Sequence, residues 1–195
     1  PALKAAYPMA TDCTRTRFQA GAPLALRAQT LAQLALPARG HRCHIAQAWA
    51  KRLAPWGVDA QQLLVSQGVR QSLDWLMGEW ARHGLRLALP ADVYPVYAQL
   101  AAKNRLLCTE YPLHPSLQAS AWAGADVLLL TNPVKPRGTA LTPAEIEQVC
   151  QWLAQDARRR VVVDAVYDLL PALQAGTQAL WATGQAVVLH SLSKA

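Results

Sequence analysis

The chain has 195 residues, enough for one ordinary domain with its own core. Apolar residues make up 52% and charged residues 16%, which excludes a disordered chain. The formal net charge of +7 raises a nucleic-acid partner, but most cations are spread singly. The densest cluster, Arg158 to Arg160, stands where a helix should end and complements its dipole, so no nucleic acid is expected.

No apolar run is long enough to span a bilayer, and the first residues lack a charged-then-apolar signal pattern. Cys13, Cys43, Cys108 and Cys150 are widely spaced with no C-x-x-C pair. They are expected to be reduced, mostly buried thiols of a cytoplasmic protein. His41, Arg42, Cys43 and His44 form the one metal-like cluster. It lacks a second ligand pair at a usual spacing and reads as a polar loop or helix start, so no metal is expected.

Residues 1–40 are rich in Ala, Leu and Pro and read as an arm with one helix around Leu24–Leu36. Ile45–Leu53 reads as a helix ended by Pro55 and Gly57. Residues 1–57 are taken as N-terminal arm and helices, and residues 58–195 as the main domain. Leu63–Val65 is expected as a short strand, followed by Gly68 and a helix with Leu73, Leu76, Met77 and Trp80 on one face. A strand at Leu85–Leu89, a helix at Tyr94–Ala102, a strand at Arg105–Thr109 and a strand at Asp126–Thr131 follow. Thr142, Pro143 and Glu145 mark a helix start, as N-cap, first helical residue and capping-box partner. Strands at Val161–Val163 and Ala186–Leu189 complete the run. Their unbroken apolar character predicts burial on both faces. The class is α/β, with an open, doubly wound, mostly parallel sheet. The seven tryptophans are mostly placed like core residues.

Ligands of such sheets bind at the carboxyl ends of the strands. There this sequence gathers Gly68, Tyr94, the loop after Thr131, Asp164, Tyr167 and Ser191 to Lys194. An amine, a carboxylate, a phenol and hydroxyls at one sheet edge suit pyridoxal 5′-phosphate (PLP), which needs an amine partner, an anion facing its ring nitrogen, and donors for its phenolate and phosphate.

Five segments carry a family resemblance: Gly68–Leu73, Asp92–Tyr97, Thr131–Gly138, Val163–Tyr167 and Ser191–Lys194. In this order and spacing they resemble the large domain of the class I/II aminotransferases, the fold-type I PLP enzymes, over about residues 60–195. The resemblance implies that Lys194 is the Schiff-base lysine and proton carrier. It implies that Asp164 faces the ring nitrogen, Tyr167 donates to the phenolate oxygen, and Tyr94 stacks on the ring. The backbone N–H groups of Val69 and Arg70 and the hydroxyl of Ser191 would hold the phosphate, with Ser193 a weaker candidate. It further implies amino acid and 2-oxo acid substrates, transamination, and a homodimer. A decarboxylase or lyase, or a non-catalytic ligand-binding domain, is the alternative on the same scaffold.

The sequence departs from the family at three places. Lys135 stands where the second Asn of Asn-Pro-x-Asn-Pro-Thr-Gly usually binds the cofactor, Arg137 where Thr is common, and Ala165 where Glu is frequent. Lysine keeps a donor at position 135 but makes it a point charge on a flexible stem. Relatives also continue well past the lysine. A chain ending at Ala195 would leave a sheet edge and an apolar face uncovered, so a longer protein, or completion by a second chain, is expected.

Overall fold

The computed structural model describes residues 38–91, 93–113, 116–135, 138–168 and 171–191. The chain begins there with α1 (Ala38–Leu53), then short 3₁₀ turns at Ala54–Trp56 and Ala60–Gln62. Next come α2 (Val69–Arg82), β1 (Arg86–Pro90), α3 (Val96–Lys103) and β2 (Leu107–Tyr111). A 3₁₀ turn (Ala119–Trp122) leads to β3 (Val127–Thr131), α4 (Pro143–Ala154), β4 (Arg160–Asp164), α5 (Pro171–Trp181) and β5 (Ala186–Leu189). The five strands form one parallel sheet in the order β2-β1-β3-β4-β5. Because the strands are parallel, their carboxyl ends share one edge.

Alternation along each strand sends side chains to two cores. On one face Leu87, Leu89, Val127, Leu129 and Val162 pack with Leu73, Met77 and Trp80 of α2 and Tyr97 and Leu100 of α3. On the other, Ala88, Leu128, Leu130, Val161 and Val163 pack with Val149, Trp152 and Leu153 of α4 and Leu180 of α5. β3 and β4 are buried between helices on both faces, as their apolar runs require, whereas Ala186, Val187 and Val188 of β5, expected to be buried, are only half-buried because β5 is an edge strand among the described residues, beside the groove. At the start of α4, Thr142 caps the Glu145 amide and Glu145 returns to the Thr142 amide at 2.8 Å. Past its end, Arg159 donates to the Trp152 carbonyl at 2.7 Å, which puts a cation at the helix C-terminus. No helix among the described residues is long and apolar enough to cross a membrane.

Several expectations need correction. Leu63–Val65 is not a strand: no described segment pairs with it, and a strand needs a hydrogen-bonding neighbour. It runs beside β5, the edge strand among the described residues, across an open groove of about 890 Å³. The third expected strand sits two residues later, as β2, and lies at the other edge, so Leu107, Cys108, Thr109 and Glu110 are exposed rather than buried. Cys43 and Cys108 are exposed and Cys150 is half-buried, contrary to the expectation of buried thiols; all three are free. Partial desolvation of the sulfur raises the thiol pKa of Cys108 and of Cys150, with the charges of Glu110 and Glu147 adding to it. Trp80, Trp122 and Trp152 are core residues, but Trp75 is exposed and Trp49, Trp56 and Trp181 line the groove. α1 begins earlier than expected and takes in His41 to His44, and α5, which starts at Pro171, adds a helix to those the sequence reading expects. Cys13 and the helix expected around Leu24–Leu36 lie outside the described residues.

Candidate active site

β4 delivers Asp164 to the carboxyl edge of the sheet, in register with Thr131 of β3 and Leu189 of β5. Its side chain is 4% exposed. A carboxylate so buried requires partners, and three groups provide them. The Tyr97 hydroxyl donates to Asp164 Oδ2. Lys135 Nζ donates to the same oxygen at 3.3 Å and to the Tyr97 hydroxyl oxygen, also at 3.3 Å. The Val166 amide donates to Oδ1 at 3.3 Å.

The loop after β3 presents Lys135. The Asn132–Pro133 peptide is cis. Buried Asn132 accepts from the Leu141 amide at 3.2 Å and donates to Thr177 Oγ1 at 2.8 Å. An isolated antiparallel bridge joins Val134 to Thr139, and the Lys135 amide donates to Thr131 Oγ1 at 3.1 Å. These bonds fix the backbone at Lys135 while its stem stays flexible. Two rings flank its ammonium: Nζ lies 5.5 Å from the centre of Tyr167 and 5.8 Å from that of Tyr97.

Tyr94 precedes α3, is 49% exposed, and meets Tyr97 edge-on with ring centres 5.6 Å apart. Tyr167 is 46% exposed, so both aromatic candidates present rings at the surface of this edge rather than packing in the core. Behind Tyr167, Thr177 donates to buried Asp168 at 2.7 Å, and this chain of bonds continues to Asn132. Burial raises the Asp168 pKa, and the Thr177 hydrogen bond opposes that.

The second part of the site is the start of α2. Gly68 has φ +100° and ψ 164°, a backbone that suits glycine, and a Cβ there would meet nothing within 4 Å. The amides of Gln71 and Ser72 turn back to the Gly68 carbonyl. Those of Val69 and Arg70 precede the helix's own ladder and point outward from its N-terminus, a natural anion seat. Val69 is half-buried and the Arg70 side chain is exposed. Ser191, just past the end of β5, lines the same groove as Gly68. Lys194 and Ser193 lie outside the described residues, as does Arg137.

The structure thus brings together Asp164, Lys135 and Tyr167, places Tyr94 one ring away, and puts Ser191 and the α2 N-terminus on a shared groove. Sequence reasoning missed Tyr97 as a site residue. The available signal was its spacing: three residues after Tyr94, it falls on the same side of the first turn of α3. Also missed were the Asn132–Thr177–Asp168 bonds, which no local pattern announces.

A histidinol-phosphate aminotransferase of Halorubrum lacusprofundi is 26% identical over 75% of this chain. The chain spans 42% of the length of that relative. Among solved structures, one from Escherichia coli, reported to have a methionine aminotransferase function, superposes with a TM-score of 0.73 at 18% identity, covering 90% of this chain and 52% of the other. The L-threonine-O-3-phosphate decarboxylase of Porphyromonas gingivalis gives a TM-score of 0.58 at 20% identity, covering 78% of this chain and 45% of the other. Those two likenesses concern the fold. Residues 28–195 match the model described as aminotransferase class I and II, a stretch that takes in every element from α1 to β5. The chain belongs to the class I and II aminotransferase family.

Proposed function

We propose that the chain forms the cofactor-binding part of a PLP-dependent aminotransferase that moves an amino group between an amino acid and a 2-oxo acid. The observation that carries this is the buried Asp164, ionisable yet 4% exposed, held at the sheet edge where the Tyr97 hydroxyl and the Lys135 ammonium meet it. A carboxylate so placed fits a protonated ring nitrogen. The α2 N-terminus with Ser191 fits a phosphate. The donor set therefore matches the cofactor at both ends.

The cofactor, when bound, supplies an aldehyde that captures amines and a cationic ring that takes up electrons from the substrate's α-carbon. Asp164 keeps the proton on the ring nitrogen, and Tyr97 keeps Asp164 oriented. The Val69 and Arg70 amides and the Ser191 hydroxyl hold the phosphate. Tyr94 packs against the ring and excludes water from one face. Tyr167 donates toward the phenolate oxygen. Lys194 is the covalent anchor, and its amine carries the proton to and from the substrate. By family likeness the protein is a homodimer.

Incubation of the purified protein with PLP should give a visible absorption band. Borohydride should then fix the cofactor on Lys194, as read by peptide mass. A panel of amino acids should bleach the band. The panel includes L-histidinol phosphate, because curated relatives are histidinol-phosphate aminotransferases. Lys194→Ala should abolish turnover. Failure to take up PLP, or full turnover by Lys194→Ala, would end this reading. The same panel tests the alternatives. Release of carbon dioxide would mark a decarboxylase, and a shifted band without turnover would mark a non-catalytic binder.

A further inference from the structure

The ammonium of Lys135 fills a fully formed cation site. Its partners are Asp164 Oδ2 and the Tyr97 hydroxyl, each at 3.3 Å, with the rings of Tyr167 and Tyr97 alongside. Asp164 Oδ2 therefore already receives two donors, one from Tyr97 and one from Lys135. A protonated ring nitrogen that is to donate to Oδ2, whose two lone pairs are both taken, has to replace one of them. The two are unequal. Tyr97 is 1% exposed and packed between α3 and the sheet. Lys135 is 24% exposed, on a four-carbon stem in a loop, so it is the donor that can leave.

We propose that Lys135 is a displaceable counter-ion of Asp164. It holds the carboxylate oriented before the cofactor arrives, and cofactor loading exchanges its ammonium for the ring nitrogen. The inference rests on the PLP reading above and deepens it. Lys135 then acts on the cofactor through Asp164, as a positioning residue. The exchange makes and breaks no covalent bond. One charge-assisted hydrogen bond is traded for another, while the lysine head turns toward solvent past the exposed Tyr167 ring.

The test compares Lys135→Met with the unmodified protein in two states. Without cofactor the variant leaves a buried carboxylate without its cation, so its melting temperature should fall by about 5 °C. With PLP the carboxylate regains a cation and no lysine has to be evicted, so PLP should bind about tenfold more tightly than to the unmodified protein. A merely structural lysine would not tighten the cofactor on removal. A second measurement needs no variant: acylation of Lys135 by limiting acetic anhydride, read by peptide mass, should rise on PLP loading. PLP binding by Lys135→Met that is unchanged or weaker, or Lys135 acylation that is unchanged or lower on loading, overturns the exchange alone. Absence of PLP uptake by the unmodified protein overturns the functional reading and the exchange with it.

Discussion

Tyr97→Phe isolates the bond that holds Asp164. The change removes one hydroxyl and leaves the ring, so the packing of α3 on the sheet is kept. The hydroxyl donates to a carboxylate and accepts from an ammonium, inside the protein. A hydrogen bond to a charged, buried acceptor contributes about 1.5–3 kcal/mol. The variant should therefore lose roughly 2 kcal/mol in urea unfolding near neutral pH, with an unchanged m-value. A second signature follows from its ionisation. Burial, then the charge of Asp164 and the hydrogen bond to it, raise the Tyr97 pKa far above the ordinary tyrosine value. A raised folded pKa contributes stability that is complete below the unfolded value, about 10, and lost as pH rises beyond it. There the unfolded chain gives up a proton that the folded chain keeps, so stability falls by about 1.4 kcal/mol per pH unit for each such tyrosine. Unfolding curves between pH 9 and 11.5 should show this slope, and it should be smaller by one proton in Tyr97→Phe. The remaining slope belongs partly to Tyr111, which burial also raises. Equal alkaline slopes in the two proteins, together with a neutral-pH loss under 0.5 kcal/mol, would refute the buried Tyr97–Asp164 bond.

His190 is held neutral: burial, helped by the Arg52 charge, depresses its pKa to about 4. Its stabilising contribution is present above the unfolded value near 6.5 and is lost as pH falls toward 4, on the order of 2–3 kcal/mol in total. His190→Asn should flatten acid unfolding over that window; Asp168, lining the same small void and raised in pKa, titrates with the opposite sign in both proteins and drops out of the difference. Thr142→Ala removes the capping box of α4 and should cost about 1 kcal/mol in thermal or urea unfolding, with PLP uptake unchanged because the cap lies on neither half of the site. Gly68→Ala places a Cβ on a backbone at φ +100°; strain of about 1–2 kcal/mol should appear in stability and also in weaker PLP binding, since the amides it disturbs are those proposed for the phosphate.

Local signals were enough for much of the architecture. The unbroken apolar runs of β3 and β4 can be satisfied only between two layers of helices. Thr142, Pro143 and Glu145 place a helix start to the residue because the cap chemistry is contained in four consecutive positions. Asp164, Tyr167 and Ser191 could be placed at one edge because parallel strands end on the same side. What tertiary structure decided depends on neighbours distant in sequence. Leu63–Val65 has strand-like residues and no pairing partner among the described residues, so it forms no strand. β2 reads like a buried strand, yet its place at the sheet edge exposes it. The meeting of Tyr97, Lys135 and Asp164 joins residues separated by 29, 38 and 67 positions. No periodicity encodes such a meeting; it follows from the order in which the strands are laid down, and the cost of burying a carboxylate makes that order chemically consequential.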